Sequence, residues 1–348
     1  MTTITTPVPA TMHVATVTGP GTVDLVEAPV PTPGPTDVLV KVRACGICGS
    51  DGFYVSLGGL PGLEGRTPLG HEPAGEVVVV GYAVEGVSVG DHVVVNPMVA
   101  PTGIIGSGGT TGGLADYLLV EDAVLGHSLL TVPEHVPFEV AALNEPMAVA
   151  RHAVNRTGAG PGDRVVVFGA GPVGLGVAIS AMAAGVESVV VVDVVPSRLE
   201  KATRIGADAV IDSSVDDVLE RLAEVHGEGP ARRGVRKAGS TVYLDATGAA
   251  PVLRTIFSIA RHGAVVGIVG VHKAPVEVDF GELLGAELTI VTSMGYPTEI
   301  FEVTEDIVEN WEKYAVIVSD RYPFQDVQEA LVAAATPGAA DKVVVTFA

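Results

Sequence analysis

Apolar positions along this chain change their rhythm near its middle. Up to about Pro35 the sequence is punctuated by Pro and Gly. Beyond it, Val-rich runs at Val38–Ala44 (VLVKVRA), Gly75–Gly81 (GEVVVVG) and Asp91–Pro97 (DHVVVNP) are separated by turn residues. Runs of that length and Val content predict short strands, so the first half is β-rich. The stretch PTGIIGSGGTTGG, from Pro101 to Gly113, has no periodicity and reads as a loop. Its glycines lack the following Lys-Ser/Thr, or the helix start, that would make them a phosphate cradle.

From Asp163 a different pattern begins. RVVVFGAG is an apolar run ending in glycine, PVGLGVAISAMAAG has helical apolar spacing, and SVVVVDV is a second buried run, which together predict a βαβ unit. Further runs at Val242–Gly248, Ala264–Val271 and Leu288–Met294, interleaved with helical stretches, extend it to a doubly wound parallel sheet, an α/β fold. The chain closes with helices and a last strand at Lys342–Phe347, and no internal repeat is present.

A length of 348 residues suits two domains, and a hydrophobic content of 47% with few aromatics suits buried parallel strands. Lys and Arg number 20 against 41 Asp and Glu, a formal charge of -21 that repels phosphate backbones and anionic lipid and so argues against nucleic acid as a partner. No run approaches the roughly 20 apolar residues of a membrane span. The opening MTTITTPVPA has neither the basic nor the apolar part of a signal peptide, and a cytoplasmic setting is expected. With only Cys45 and Cys48, the chain has no disulfide framework, and metal or thiol redox chemistry becomes the question.

Gly169, Gly171 and Gly174, with Pro172 and Val173 between the last two, form GxGxxG after a predicted strand and at the start of a predicted helix. There the helix amides can meet a pyrophosphate: the first glycine permits the turn, the second lets the phosphate approach and the third lets helix and strand pack. Asp193 ends the second strand 19 residues after Gly174, where a carboxylate would accept both adenosine ribose hydroxyls and repel a 2'-phosphate. NAD is therefore expected over NADP, with Arg198 working slightly against that preference because a guanidinium could hold a phosphate.

Cys48, His71 and Glu72 are ligand types that zinc favours, and Glu145 adds a later carboxylate. Three protein ligands with an open position describe a catalytic zinc. A thiol redox pair at Cys45 and Cys48 is the weaker reading, because the setting is not that of thioredoxin and the metal pattern follows downstream.

The segments CGICGSD (Cys45–Asp51), GHEPAGEV (Gly70–Val77), GGLADYLLV (Gly112–Val120), NEPMAV (Asn144–Val149) and VVVFGAGPVG (Val165–Gly174) resemble the zinc-dependent medium-chain dehydrogenase/reductase family. That family includes sorbitol, threonine, butanediol and alcohol dehydrogenases, and the resemblance runs from about Val14 to the end. It implies a β-rich GroES-like catalytic domain over 1–153, completed by 296–348, around a Rossmann NAD-binding domain over 154–295. It implies that Cys48 and His71 ligate a catalytic zinc, with Cys45 a packed neighbour and Glu72 and Glu145 ligands or close outer carboxylates. Asp51 resembles the residue that orients the zinc histidine, and Ser50 matches the hydroxyl that passes the substrate proton on. The implied reaction is hydride transfer between a secondary alcohol or polyol and NAD, giving a ketone, with zinc as Lewis acid, in a homo-oligomer (dimer or tetramer). TSMGY (Thr292–Tyr296) matches the stretch beside the nicotinamide.

Two departures stand out. The four-cysteine lobe that holds a structural zinc in many relatives would fall around Val95–Gly113, where no cysteine occurs, so one zinc per chain is expected. Many members place a histidine two residues after the acidic residue of CGSD, at the outlet of the proton relay, and here Phe53 stands instead. The competing readings are a zinc-free quinone or enoyl reductase on the same fold and a non-catalytic NAD-binding regulator.

Overall fold

The computed structural model describes residues 8–230, 234–336 and 338–348. The chain forms two compact units, residues 1–145 with 301–348, and residues 146–300. The first break falls inside a helix, eight residues before the expected 153/154, because Met147 and Ala150 already belong to the second unit's packing. A Cβ on Gly176 would lie 2.7 Å from Met147 Sδ and 2.8 Å from Ala150 Cβ. The second break comes five residues after the expected 295/296, since the Glu299 carboxylate is held by His152 Nδ1 at 2.8 Å and by Asn155 Nδ2 at 3.2 Å.

The first unit begins with β1 (Thr11–Gly19), β2 (Thr22–Pro29), β3 (Val38–Gly46), helix α1 (Gly49–Leu57), β4 (Thr67–Pro68), β5 (Glu72–Val80), β6 (His92–Val95), β7 (Tyr117–Val120), β8 (Leu129–Val132) and helix α2 (Phe138–Ala141), and it ends at the start of helix α3 (Asn144–Thr157), which belongs from Pro146 on to the second unit. The antiparallel β1–β2 hairpin was not legible behind the Pro and Gly punctuation. Its residues are mostly half-exposed or exposed, and its apolar positions are interleaved with polar ones and form no continuous run. β3 pairs antiparallel with β5 and β7, and its near-continuous apolar run is buried on both faces. Val38, Val40 and Val42 pack with Val77, Val93, Leu114 and Leu118.

The glycine-rich stretch from Pro97 to Leu114 is a loop closed by its own backbone. Ile105 N donates to Pro97 O, Gly106 N to Thr111 O, Gly113 N to Gly70 O and Leu114 N to Leu69 O, at 2.6 to 3.0 Å. A Cβ on Gly106 would lie 2.0 Å from Gly70 O, so the approach to the residues before His71 is possible only for glycine.

The second unit contains β9 (Arg164–Phe168), α4 (Pro172–Ala183), β10 (Ser188–Asp193), α5 (Pro196–Arg204), β11 (Ala209–Asp212), α6 (Val218–His226), β12 (Val242–Asp245), α7 (Ala250–Ile259), β13 (Val265–Ile268), α8 (Phe280–Ala286) and β14 (Thr289–Thr292). The six strands are parallel in the order β11-β10-β9-β12-β13-β14. The Val runs of β9 and β10 are buried on both faces, as a helix-covered parallel sheet requires.

Returning to the first unit, the chain forms α9 (Glu302–Glu309), α10 (Trp311–Ala315), β15 (Asp320–Pro323), α11 (Val327–Ala335) and β16 (Val343–Thr346). β16 runs antiparallel to β3 and completes a seven-stranded sheet. Among the described residues no helix is long and apolar enough to cross a membrane.

Candidate metal and dinucleotide sites

The β3–β5 register sets Gly46 opposite Glu72 and Cys45 opposite Pro73, and β3 then leads through Ile47 into Cys48 at the head of α1. At the other end of the site Gly70, in the left-handed region at φ +87°, turns the chain so that His71 enters β5. These two entries bring Cys48, His71 and Glu72 together: one donor atom from each lies within 4.8 Å of the others. His71 and Glu72 are buried and Cys48 is half-buried. Glu72 Oε1 and His71 Nδ1 are buried without a hydrogen-bond partner. Buried polar atoms are normally paired, so a thiol, an imidazole and an unpaired carboxylate oxygen fit a zinc ion. Glu145 is half-buried and stands outside this group of three.

Asp51 is completely buried, and its carboxylate accepts from Cys48 N at 2.9 Å and Gly70 N at 3.4 Å, tying together the two backbone entries. Its Oδ1 lies 3.7 Å from His71 Nδ1, just outside hydrogen-bond range. Burial pushes the Asp51 carboxyl above the usual carboxylate range, against the opposing pull of His71 and the Cys48 amide. For His71 burial pulls downward, yet the Asp51 carboxylate, a bond with Cys48 and the charge of Glu145 outweigh it and leave the ring well above the usual histidine range. The site thus favours a positive charge, and a bound metal would take the place of that proton. Burial, with Glu72 and Asp51 adding, raises the Cys45 thiol well above its ordinary value, so Cys45 is a packed neutral thiol.

Lys342 has no counterpart in the sequence reading. It precedes β16 and is buried, its ammonium pairing with Glu72 Oε2 and donating to Ile47 O at 3.1 Å. Burial lowers its pKa, but the Glu72 carboxylate outweighs burial and the ammonium is held above the ordinary lysine range. Only the strand pairing could reveal this partner, because 270 residues separate the two in sequence.

Ser50 is half-buried in the first turn of α1. Phe53, one turn on, is 57% exposed. Its neighbour Tyr54 shares a 2.6 Å hydrogen bond with Ser107 of the glycine-rich loop.

In the second unit Gly169 has φ +100° and ends β9, and Gly171 caps α4, with Pro172 and Val173 opening the helix. A Cβ on Gly174 would stand 1.8 Å from Gly169 O, whereas one on Gly171 would meet nothing within 4 Å. The third glycine is needed for packing and the second faces open space at a helix N-terminus, a geometry that fits a pyrophosphate. Asp193 Oδ1 accepts from Val194 N at 2.7 Å and Val195 N at 2.9 Å, and Oδ2 from Ala170 N at 2.6 Å. With three of about four lone-pair positions used by backbone amides, the carboxylate is fixed in place at the end of β10. Arg198 lies on α5, which follows β10 directly.

Residues 34–133 match the family described as alcohol dehydrogenase GroES-like domain, and residues 172–310 the family described as zinc-binding dehydrogenase. (R,R)-butanediol dehydrogenase from Bacillus subtilis is 33% identical over 297 residues, covering 79% of this chain and 81% of that protein. An alcohol dehydrogenase structure from Escherichia coli CFT073 complexed with NADH superposes with TM-score 0.82 at 27% identity, over 97% of this chain and 100% of that one. A zinc-binding dehydrogenase from Sinorhizobium meliloti bound to NADP superposes with TM-score 0.81 at 26% identity, again over 97% and 100%.

Proposed function

The chain belongs to the zinc-dependent medium-chain dehydrogenase family and is an oxidoreductase of CH–OH groups, and we propose that one zinc per chain, held by Cys48, His71 and Glu72, serves the NAD-linked interconversion of a secondary alcohol or polyol and its ketone. The reading is carried by three donor atoms within 4.8 Å, one of them from a buried carboxylate with an unpaired oxygen. The zinc-free reductase and regulator readings are not favoured, since such proteins would have no use for this cluster.

When bound, zinc supplies Lewis acidity that eases removal of the substrate's hydroxyl proton. The chain's own groups do the rest. Asp51 fixes the backbone on either side of the ligands and, on a small approach, would take the Nδ1 proton of His71 as a hydrogen bond, leaving Nε2 as the donor atom. Lys342 compensates the charge of Glu72. Ser50 takes the hydroxyl proton and passes it on; with Phe53 in place of an imidazole, that proton goes on to solvent by another group or by water. Glu145 acts on the cluster through its charge. In the other unit Gly169, Gly171, Pro172, Val173 and Gly174 receive the pyrophosphate and Asp193 a ribose hydroxyl, which favours NAD, with Arg198 as the group that could admit NADP.

The deciding experiment combines metal analysis with NAD reduction across diols, polyols, cyclic and aliphatic secondary alcohols and 3-hydroxy amino acids. The expected result is about one zinc per chain, with Cys48→Ala losing metal and turnover but still binding NADH. Two tightly held zinc ions, or undiminished turnover in Cys48→Ala, would sink the assignment.

A homo-oligomer belongs to the same proposal. The edge strand β14 is uncharged and largely exposed, and Phe280, Leu284 and Met294 nearby are 75%, 81% and 87% exposed. Two copies of a neutral edge strand can pair antiparallel about a twofold axis without opposing like charges. A cytoplasmic setting fits as well, because Cys48 must stay reduced to ligate.

A further inference from the structure

The parallel sheet of the second unit changes winding direction between β9 and β12, and ligands of such sheets lie across the carboxyl ends of strands at that switch. On the reading of Gly171–Gly174 and Asp193 given above, the adenosine half of NAD extends over β10. The nicotinamide half must then run the other way, over the ends of β12 and β13. Those ends carry two short segments, Asp245–Gly248 and Val269–His272.

The two segments are locked to one another. Val269 N and Gly270 N both donate to Asp245 O, at 3.0 and 2.9 Å. A Cβ on Gly270 would lie 2.2 Å from Gly248 N, and one on Gly248 would lie 2.4 Å from Val271 O. The Asp245 carboxylate is completely buried beneath them. Its Oδ1 serves its own segment, accepting from Thr247 N, Thr247 Oγ1 and Gly248 N at 2.6 to 3.2 Å. Its Oδ2 is reserved for the other one, accepting from His272 Nε2 at 2.8 Å. A buried carboxylate left with an unpaired oxygen is costly, so this bond holds the end of the Val269–His272 segment in one place.

We propose that His272, latched to Asp245, is a positioning residue for the nicotinamide half of the coenzyme: it fixes the backbone that receives that half and leaves the adenosine half untouched. The proposal rests on the dinucleotide reading of the second unit. No proton or electron passes through His272.

The test measures dissociation constants of NADH and of ADP, which ends at the pyrophosphate, on the intact zinc-loaded enzyme. His272→Ala is expected to weaken NADH about tenfold while ADP stays within about twofold. His272→Gln, whose amide can present a donor to the same oxygen, is expected to recover most of the NADH affinity. Equal weakening of NADH and ADP in His272→Ala, or unchanged NADH binding, overturns the latch. A wild type that binds neither ligand defeats the dinucleotide reading itself, and the latch with it.

Discussion

Lys342 and Glu72 meet inside the first unit across Gly46, the only residue type that leaves room for them: a Cβ there would lie 1.8 Å from Glu72 Oε2 and 3.0 Å from Lys342 Nζ. Three strands converge at that point, with Gly46 of β3 opposite Glu72 of β5 and opposite Val344 of β16.

Breaking a buried pair by removing one partner leaves the other charge uncompensated, at about 3–5 kcal/mol. Lys342→Met is therefore expected to lower the urea midpoint strongly, and Lys342→Met combined with Glu72→Gln to recover much of the loss. Denaturation of the single and double variants checks this. A double variant no more stable than Lys342→Met would mean that Lys342 contributes by packing alone.

Coenzyme choice should turn on Asp193. Backbone amides hold its carboxylate in place where it can accept from the adenosine ribose, and its charge opposes a 2'-phosphate. Asp193→Gly should narrow the NAD over NADP preference by about tenfold in kcat/KM, since loss of one charged hydrogen bond is worth about that much. Equal wild-type efficiency with the two coenzymes would contradict the role given to this carboxylate.

A stability prediction concerns His226, far in sequence from either site. Burial, reinforced by the Arg164 guanidinium, holds its ring down to about 4, and the ring nitrogens lie 2.8 Å from Ser240 Oγ and 3.2 Å from Ser188 Oγ. An unfolded histidine titrates near about 6.5, so between those values the unfolded chain binds a proton that the folded chain refuses. The contribution is whole above pH of about 6.5 and is lost as pH falls toward about 4, the loss amounting to about 2 kcal/mol at pH of about 5. His226→Gln should flatten the fall in urea midpoint between neutral and mildly acid pH. An equally steep fall in the variant would move the effect to other groups.

The parallel sheet was legible because its buried Val runs stand apart from the helices between them, and the dinucleotide turn because its glycines sit at fixed spacing. The β1–β2 hairpin was not, since its half-exposed strands interleave Thr, Asp and Glu with their apolar residues and leave no continuous apolar run. Cys48, His71 and Glu72 could be picked out as ligand types within two local motifs. Their neighbour Lys342 could not, because only antiparallel pairing of the last strand with β3 carries it there. The unit breaks at 145/146 and 300/301 rest on contacts of the same kind: Met147, Ala150 and Glu299 look unremarkable until Gly176 and His152 show what they touch.

The loop from Pro97 to Leu114 has a consequence for how this protein depends on its metal supply. A lobe closed by backbone hydrogen bonds needs no ion to hold it, so on the one-zinc reading proposed above the ion's binding energy would fall to the Cys48, His71 and Glu72 cluster. On that reading a chain made during zinc shortage is expected to fold first and wait. Adding the ion back is then expected to restore turnover without refolding, which would make chelation a reversible brake on this enzyme instead of a route to its denaturation.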